Sequence, residues 1–224
     1  MIRCILFDID DTLFPSSRFA ELARRNAINA MISLGVQGKQ DVLYRKLLGI
    51  IKKRGTNYNK HFDVLCKELK IKNPSRYVAA AVAAYHNTKM SISPYPEVKR
   101  ALLSLRENGY TLYITTNGDA IKQWDKLIRL GVVLYFDDVF VSGELKVEKG
   151  KLFFKKVLKK LKMKPSECVV VGDREDKDIK PAKALGMKTI RMKKGKYSKI
   201  PSKADAVITD MSKILKVIKT LGSK

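Results

Sequence analysis

Four separated stretches carry side chains that could do chemistry together: Asp8-Ile9-Asp10-Asp11-Thr12, Thr116-Asn117-Gly118, Lys149, and Gly172-Asp173 with Asp178. If Asp8, Asp10 and Asp173 were gathered, each like-charge pair about 4 Å apart would repel by roughly 4 kcal/mol at an effective dielectric near 20, so the cluster needs protons or a cation. Hard oxygen ligands select Mg²⁺, which binds through one or two carboxylates, retained waters and a substrate phosphate. No His or Cys cluster argues for zinc. A carboxylate held beside a metal-bound phosphate can attack phosphorus and form an aspartyl-phosphate, dividing one hard hydrolysis into two displacements. Asp8 is placed for that attack. Asp10 could give a proton to the departing alcohol and later take one from water, a role typically worth ~10²–10⁴ in rate. The Thr116 hydroxyl and the backbone amides of Asn117 and Gly118 offer donors to phosphoryl oxygens, and Lys149 would neutralise charge on nucleophile and phosphate.

Asp8 and Asp173 lie 165 residues apart, so secondary-structure elements must bring them together. Three of the four stretches directly follow a short apolar run, at 2–7, 111–115 and 168–171. Runs of that length, β-prone and ended by polar residues, suit buried parallel strands. Further strands are predicted at 139–141, 188–191 and 206–208, with helices between them, the alternation of a parallel α/β sheet. Ligands of such sheets bind in the crevice outside the carboxyl ends of the strands, where these polar residues fall. A helix over about 151–162 puts Phe154, Val157, Leu158 and Leu161 on one stripe and five lysines on the other face, which reads as a solvated surface.

Between the first two strands the pattern differs. From Ser16, the residues Phe19, Leu22, Ala23, Ala27, Ala30, Met31 and Leu34 follow helical spacing until Gly35, and 39–53, 58–70 and 75–88 also read as helices. This predicts a helical insert over 15–92, bounded by Pro15 and Pro94-Tyr95-Pro96, in a core made of 1–14 and 93–224. A chain of 224 residues has room for both. Its 46 bases and 22 acids give +24, divided as +11 in the insert and +13 elsewhere. So diffuse a field attracts a small phosphorylated molecule as readily as a nucleic acid, and no aromatic-rich basic stripe favours the latter. No apolar run approaches the ~18 residues of a membrane span, the N-terminal run is too short for a secretory signal, and Cys4, Cys66 and Cys168 read as buried thiols. A cytoplasmic protein without a membrane partner is expected, its oligomeric state open.

The four stretches, in order and at their usual separations, resemble the motifs of the haloacid dehalogenase superfamily. Phe7-Asp8-Ile9-Asp10-Asp11-Thr12-Leu13 is similar to the family's D-x-D-x-T loop, which implies nucleophile Asp8 and acid/base Asp10. Ile114-Thr115-Thr116-Asn117-Gly118 resembles the second motif and implies phosphate contacts. Ser142-Gly143-Glu144 running to Lys149 resembles the third, and Val171 to Ile179 the fourth. The resemblance implies a Rossmann-like core, a C1-type helical cap that opens and closes over substrate, Mg²⁺ on Asp8, Asp10 and Asp173, and a supporting Asp178. Relatives commonly place Pro after the third-motif lysine where Gly150 stands here, which leaves Lys146 and Lys151 as rivals to Lys149. Asp10 argues against the dehalogenase branch. A phosphatase of small phosphorylated metabolites is favoured over a phosphomutase or a phosphatase of nucleotides and nucleic-acid ends; a basic nucleic-acid-binding protein on the same scaffold ranks third.

Overall fold

In the computed structural model, which describes residues 1–222, the apolar runs that end in polar turns become the strands of one sheet. Strand β1 (Cys4–Phe7) is followed by four helices, α1 (Ser16–Ser33), α2 (Gln40–Arg54), α3 (His61–Glu68) and α4 (Ser75–Lys89). Then come α5 (Val98–Glu107), β2 (Thr111–Thr116), α6 (Ala120–Leu130), β3 (Asp138–Val141), α7 (Ser142–Leu145) and α8 (Lys151–Leu161). The chain ends with β4 (Cys168–Gly172), α9 (Lys180–Lys183), β5 (Lys188–Met192), β6 (Ala206–Ile208) and α10 (Ile214–Gly222).

The sheet runs β3-β2-β1-β4-β5-β6 with every pairing parallel, so the strand order reverses between β1 and β4. At such a reversal the loops leave in opposite directions and open a crevice at the carboxyl ends. Every side chain of β1 is buried, as a central parallel strand covered on both faces requires. Leu6 and Val170 pack with Phe153, Phe154, Val157 and Leu158 of α8, and each such aromatic or aliphatic side chain contributes about 1.5–3 kcal/mol by leaving water. Cys4 and Cys168 are register partners and all three cysteines are buried and free.

Local signals set the flanking helices. In α5, Val98, Ala101, Leu102 and Leu105 are buried at the i, i+3, i+4, i+7 spacing of one apolar face. Asp119 caps α6 by accepting the Lys122 N–H, and Gly131 closes it in the left-handed conformation at φ 61°.

The chain divides into two units, Met1–Ser17 with Ser93 onward, and Arg18–Ile92. The first boundary falls at Ser17 rather than at Phe14, because the Asp11 carboxylate accepts from both the Ser17 N–H and its hydroxyl and ties the start of α1 to the first loop. The second unit is helical, with Ala27, Ile28, Met31, Leu43, Leu47, Ile50, Leu65 and Ala81 in its own core. No helix among the described residues is long and apolar enough to cross a membrane.

Candidate active site

Phe7 closes β1 in register with Ile114 of β2 and Val171 of β4. Asp8 therefore leaves the sheet between the ends of its two neighbours, its N–H bonded to the Val171 carbonyl at 2.8 Å. The same register brings Thr116, the last residue of β2, and Asp173, the first after β4, to this edge.

Oxygens of Asp8, Asp173 and Asp178 lie within 4.8 Å of one another, and all three residues are buried. Asp178 arrives on a single π-turn, Glu175–Ile179, and packs against Gly172, where a Cβ would stand 2.4 Å from its carboxylate. Its Oδ2 accepts the Arg174 N–H at 3.0 Å. Lys149, only 2% exposed, places Nζ 2.6 Å from Asp8 Oδ1 and 2.5 Å from Asp178 Oδ1. Its backbone N–H donates to Asn117 Oδ1 at 3.0 Å, so the second and third motifs are bonded to each other. The rivals Lys146 and Lys151 are both exposed. Gly150 has φ 169°, an extended value that the ring of a proline forbids, so this loop is shaped differently rather than loosened.

Fully ionised, three carboxylates and one ammonium would leave a net −2 where little water reaches. Burial, with the repulsion of Asp178 and Asp10 set against the attraction of Lys149, pushes the Asp8 carboxyl up to about 7. Burial and the charges of Asp8, Asp178 and Asp11 push Asp173 up to about 9. Burial alone would lower Lys149, but Asp178 and Asp8 outweigh it and push its ammonium up to about 12. Like charges so confined fit a divalent cation, whose two charges restore neutrality and whose preferred ligands are carboxylate oxygens.

Two of the expected site residues make other bonds here. Asp10 is absent from the carboxylate cluster, where Asp178 stands instead. Both Asp10 oxygens accept from Lys126 Nζ of α6, at 2.8 and 2.7 Å, because that ammonium offers the partner that an acidic cluster cannot. The Gly118 N–H, expected to face phosphate, is taken up within the protein, since α7 starts beside this turn and the Ser142 hydroxyl accepts it at 2.8 Å. The Gly118 φ of 139° shapes the turn instead. Among the described residues the buried hydroxyls of Thr12 and Thr116 have no hydrogen-bond partner. That of Thr116, at the strand end beside the carboxylates, is a donor in want of an acceptor. Neither Lys126 nor Ser142 stood out in the sequence: one is a lysine among many, the other only the start of a motif.

The family model for haloacid dehalogenase-like hydrolases matches residues 2–186. The chain belongs to the haloacid dehalogenase-like hydrolases. This hydrolase is 46% identical over 214 residues to a glyceraldehyde 3-phosphate phosphatase of Methanopyrus kandleri, covering 94% of this chain and 92% of that relative. It is 44% identical over 225 residues to another of that name from Methanocaldococcus jannaschii, covering 99% of each. A solved haloacid dehalogenase-like family hydrolase from Xanthomonas campestris shares its fold, with a TM-score of 0.75 over 99% of this chain and 96% of that one at 18% identity.

Proposed function

We propose that this hydrolase is a Mg²⁺-dependent phosphomonoesterase that works through an aspartyl-phosphate on Asp8, with glyceraldehyde 3-phosphate or a close analogue as substrate. The observation that carries the reading is the buried array of Asp8, Lys149, Asp178 and Asp173 beside the partnerless Thr116 hydroxyl. The substrate comes from the two relatives at 46% and 44% identity, which span nearly the whole chain.

Lys149 holds Asp8 Oδ1, which leaves Oδ2 to attack phosphorus. The bond from phosphorus to the alcohol oxygen breaks as the bond to Asp8 forms. Thr116 and the side-chain amide of Asn117 donate to the phosphoryl oxygens, and Asp10, once released from Lys126 and protonated, passes that proton to the leaving oxygen. Water then attacks the aspartyl-phosphate while Asp10 takes its proton, and phosphate leaves with Asp8 restored. Asp8, Asp173 and Asp178 would hold the metal, which when bound neutralises phosphoryl charge and keeps Asp8 ionised.

Phosphate release from glyceraldehyde 3-phosphate, from a chromogenic monoester and from nucleoside monophosphates tests the reading, each with Mg²⁺ and with EDTA. The expected outcome is metal-dependent turnover with the highest kcat/KM on glyceraldehyde 3-phosphate. A tenfold preference for nucleotides would overturn the substrate, and full activity in EDTA would overturn the metal.

A further inference from the structure

Among the described residues Arg191 is the largest side chain that is wholly buried. It sits on β5 directly across from Gly172 in β4, the residue before Asp173. All three guanidinium nitrogens donate: Nε to the Asp173 carbonyl at 3.0 Å, Nη2 to the Tyr197 carbonyl at 2.6 Å, and Nη1 to the Ile200 and Pro201 carbonyls at 3.1 and 3.0 Å. Nη1 also lies 3.4 Å from Glu175 Oε2. Glu175 in turn accepts from the Ser202 hydroxyl at 3.0 Å and the Lys203 N–H at 3.1 Å.

These bonds join two segments of the chain, with Arg191 bonded to both. One is the turn from Asp173 to Asp178, which brings two of the three clustered carboxylates; the other is the irregular stretch from Tyr197 to Lys203. Arg174, the residue after Asp173, adds a tie by stacking its guanidinium on the Tyr197 ring, 4.8 Å from the centroid. A Cβ at Gly195, two residues before Tyr197, would stand 2.1 Å from Asp11 Cγ, so the same stretch also abuts the loop that carries Asp8. A planar fork of five N–H groups can satisfy acceptors on two segments at once, which a lysine ammonium cannot.

We infer that Arg191 is a positioning residue that fixes the Asp173–Asp178 turn for metal binding by bonding the Asp173 carbonyl and Glu175 to the segment 197–203. The inference rests on the reading of Asp8, Asp173 and Asp178 as the metal carboxylates. Arg191 touches neither metal nor substrate; it acts through the backbone of a ligand, as outer-shell partners do, and loss of such a partner typically weakens metal binding by about 10–100-fold.

The test is the affinity for Mn²⁺, followed through the electron paramagnetic resonance of the free ion, in the full-length wild type, Arg191→Lys, Ser202→Ala and Asp173→Asn. Arg191→Lys keeps the charge and removes the fork, so the field at the carboxylates is preserved and only the bonding geometry changes. The expected result is a Kd raised by about tenfold or more in Arg191→Lys with native circular dichroism, and a smaller rise in Ser202→Ala. A merely structural arginine would lower the melting temperature of Arg191→Lys and leave the Kd within twofold of wild type, which overturns the inference. If Arg191→Lys does not fold, Ser202→Ala decides: an unchanged Kd overturns the proposal and a raised one supports it. Wild type that binds no Mn²⁺, or Asp173→Asn that binds it equally well, overturns the carboxylate reading and the inference with it.

Discussion

Lys149 takes a positive charge into a place nearly closed to water, and it is held there by Asp8 and Asp178 at 2.6 and 2.5 Å. Removing one partner from such a buried arrangement is costly, whereas removing a surplus like charge is not. Asp173 is the surplus carboxyl in the metal-free protein, which burial and its acidic neighbours push toward protonation at a cost to folding. Asp173→Asn is therefore expected to raise the metal-free melting temperature by about 2–6 °C, on the scale of 2–4 °C per kcal/mol for a chain of this size. Mg²⁺ is expected to stabilise wild type and not the variant, and differential scanning fluorimetry with and without Mg²⁺ measures both effects. A lower melting temperature for the metal-free variant would show that Asp173 is compensated by a partner other than a cation. Asp8, Asp173 and Lys149 were legible in the sequence because each follows an apolar strand or stands at a fixed distance from one. Asp178 was legible only as a supporting residue, and the pairing of Asp10 with Lys126 was not legible, because it depends on where α6 runs.

At the scale of elements, carboxylates also hold the sheet edge together. Asp205 joins β5 to the loop before β6: its Oδ2 accepts from the Thr189 N–H and hydroxyl at 2.8 and 2.7 Å, and its Oδ1 pairs with Lys183 at 2.7 Å. Partial burial opposes ionisation, but Lys183 and Thr189 outweigh it and hold the carboxyl below the usual carboxylate range. A carboxyl lowered in the folded state binds fewer protons there than in the unfolded chain. Its stabilisation is therefore present above the unfolded carboxylate value near 3.8 and is lost as pH falls through the lower folded one. Asp205→Asn should cost roughly 1–2 kcal/mol at pH 7 and close to nothing near pH 2, as read by urea unfolding at each pH. An equal cost at both values would mean that packing rather than charge is at stake. The strands lay close to their expected positions because an apolar run ending in polar residues has one comfortable place in a parallel sheet. The π-turn at Glu175–Ile179 was not legible, since one extra residue in a single turn leaves no periodic trace.

Over the whole molecule the +24 charge acts as a field rather than as a site. Such a field speeds the encounter with a phosphorylated substrate and is screened by salt, with a Debye length of about 10 Å at 0.1 M. Raising ionic strength from about 0.02 to 0.2 M should lower kcat/KM severalfold and leave kcat nearly unchanged. A fall in kcat alone would place the charge effect in the chemical step. The strand order β3-β2-β1-β4-β5-β6 was beyond what periodicity reveals, because apolar spacing marks strands and not their neighbours. The family resemblance implied a Rossmann-like core, and the observed order, with β1 between β2 and β4, is what lets residues 165 positions apart meet. The proposed function centres on Asp8, and the most direct measurement seeks a covalent intermediate there. The enzyme is quenched with acid during turnover of ³²P-labelled substrate and the labelled peptide is mapped. The expected result is label on the peptide that contains Asp8, with no label and no phosphate release from Asp8→Asn. Label on another residue, or substantial phosphate release from Asp8→Asn, would contradict it.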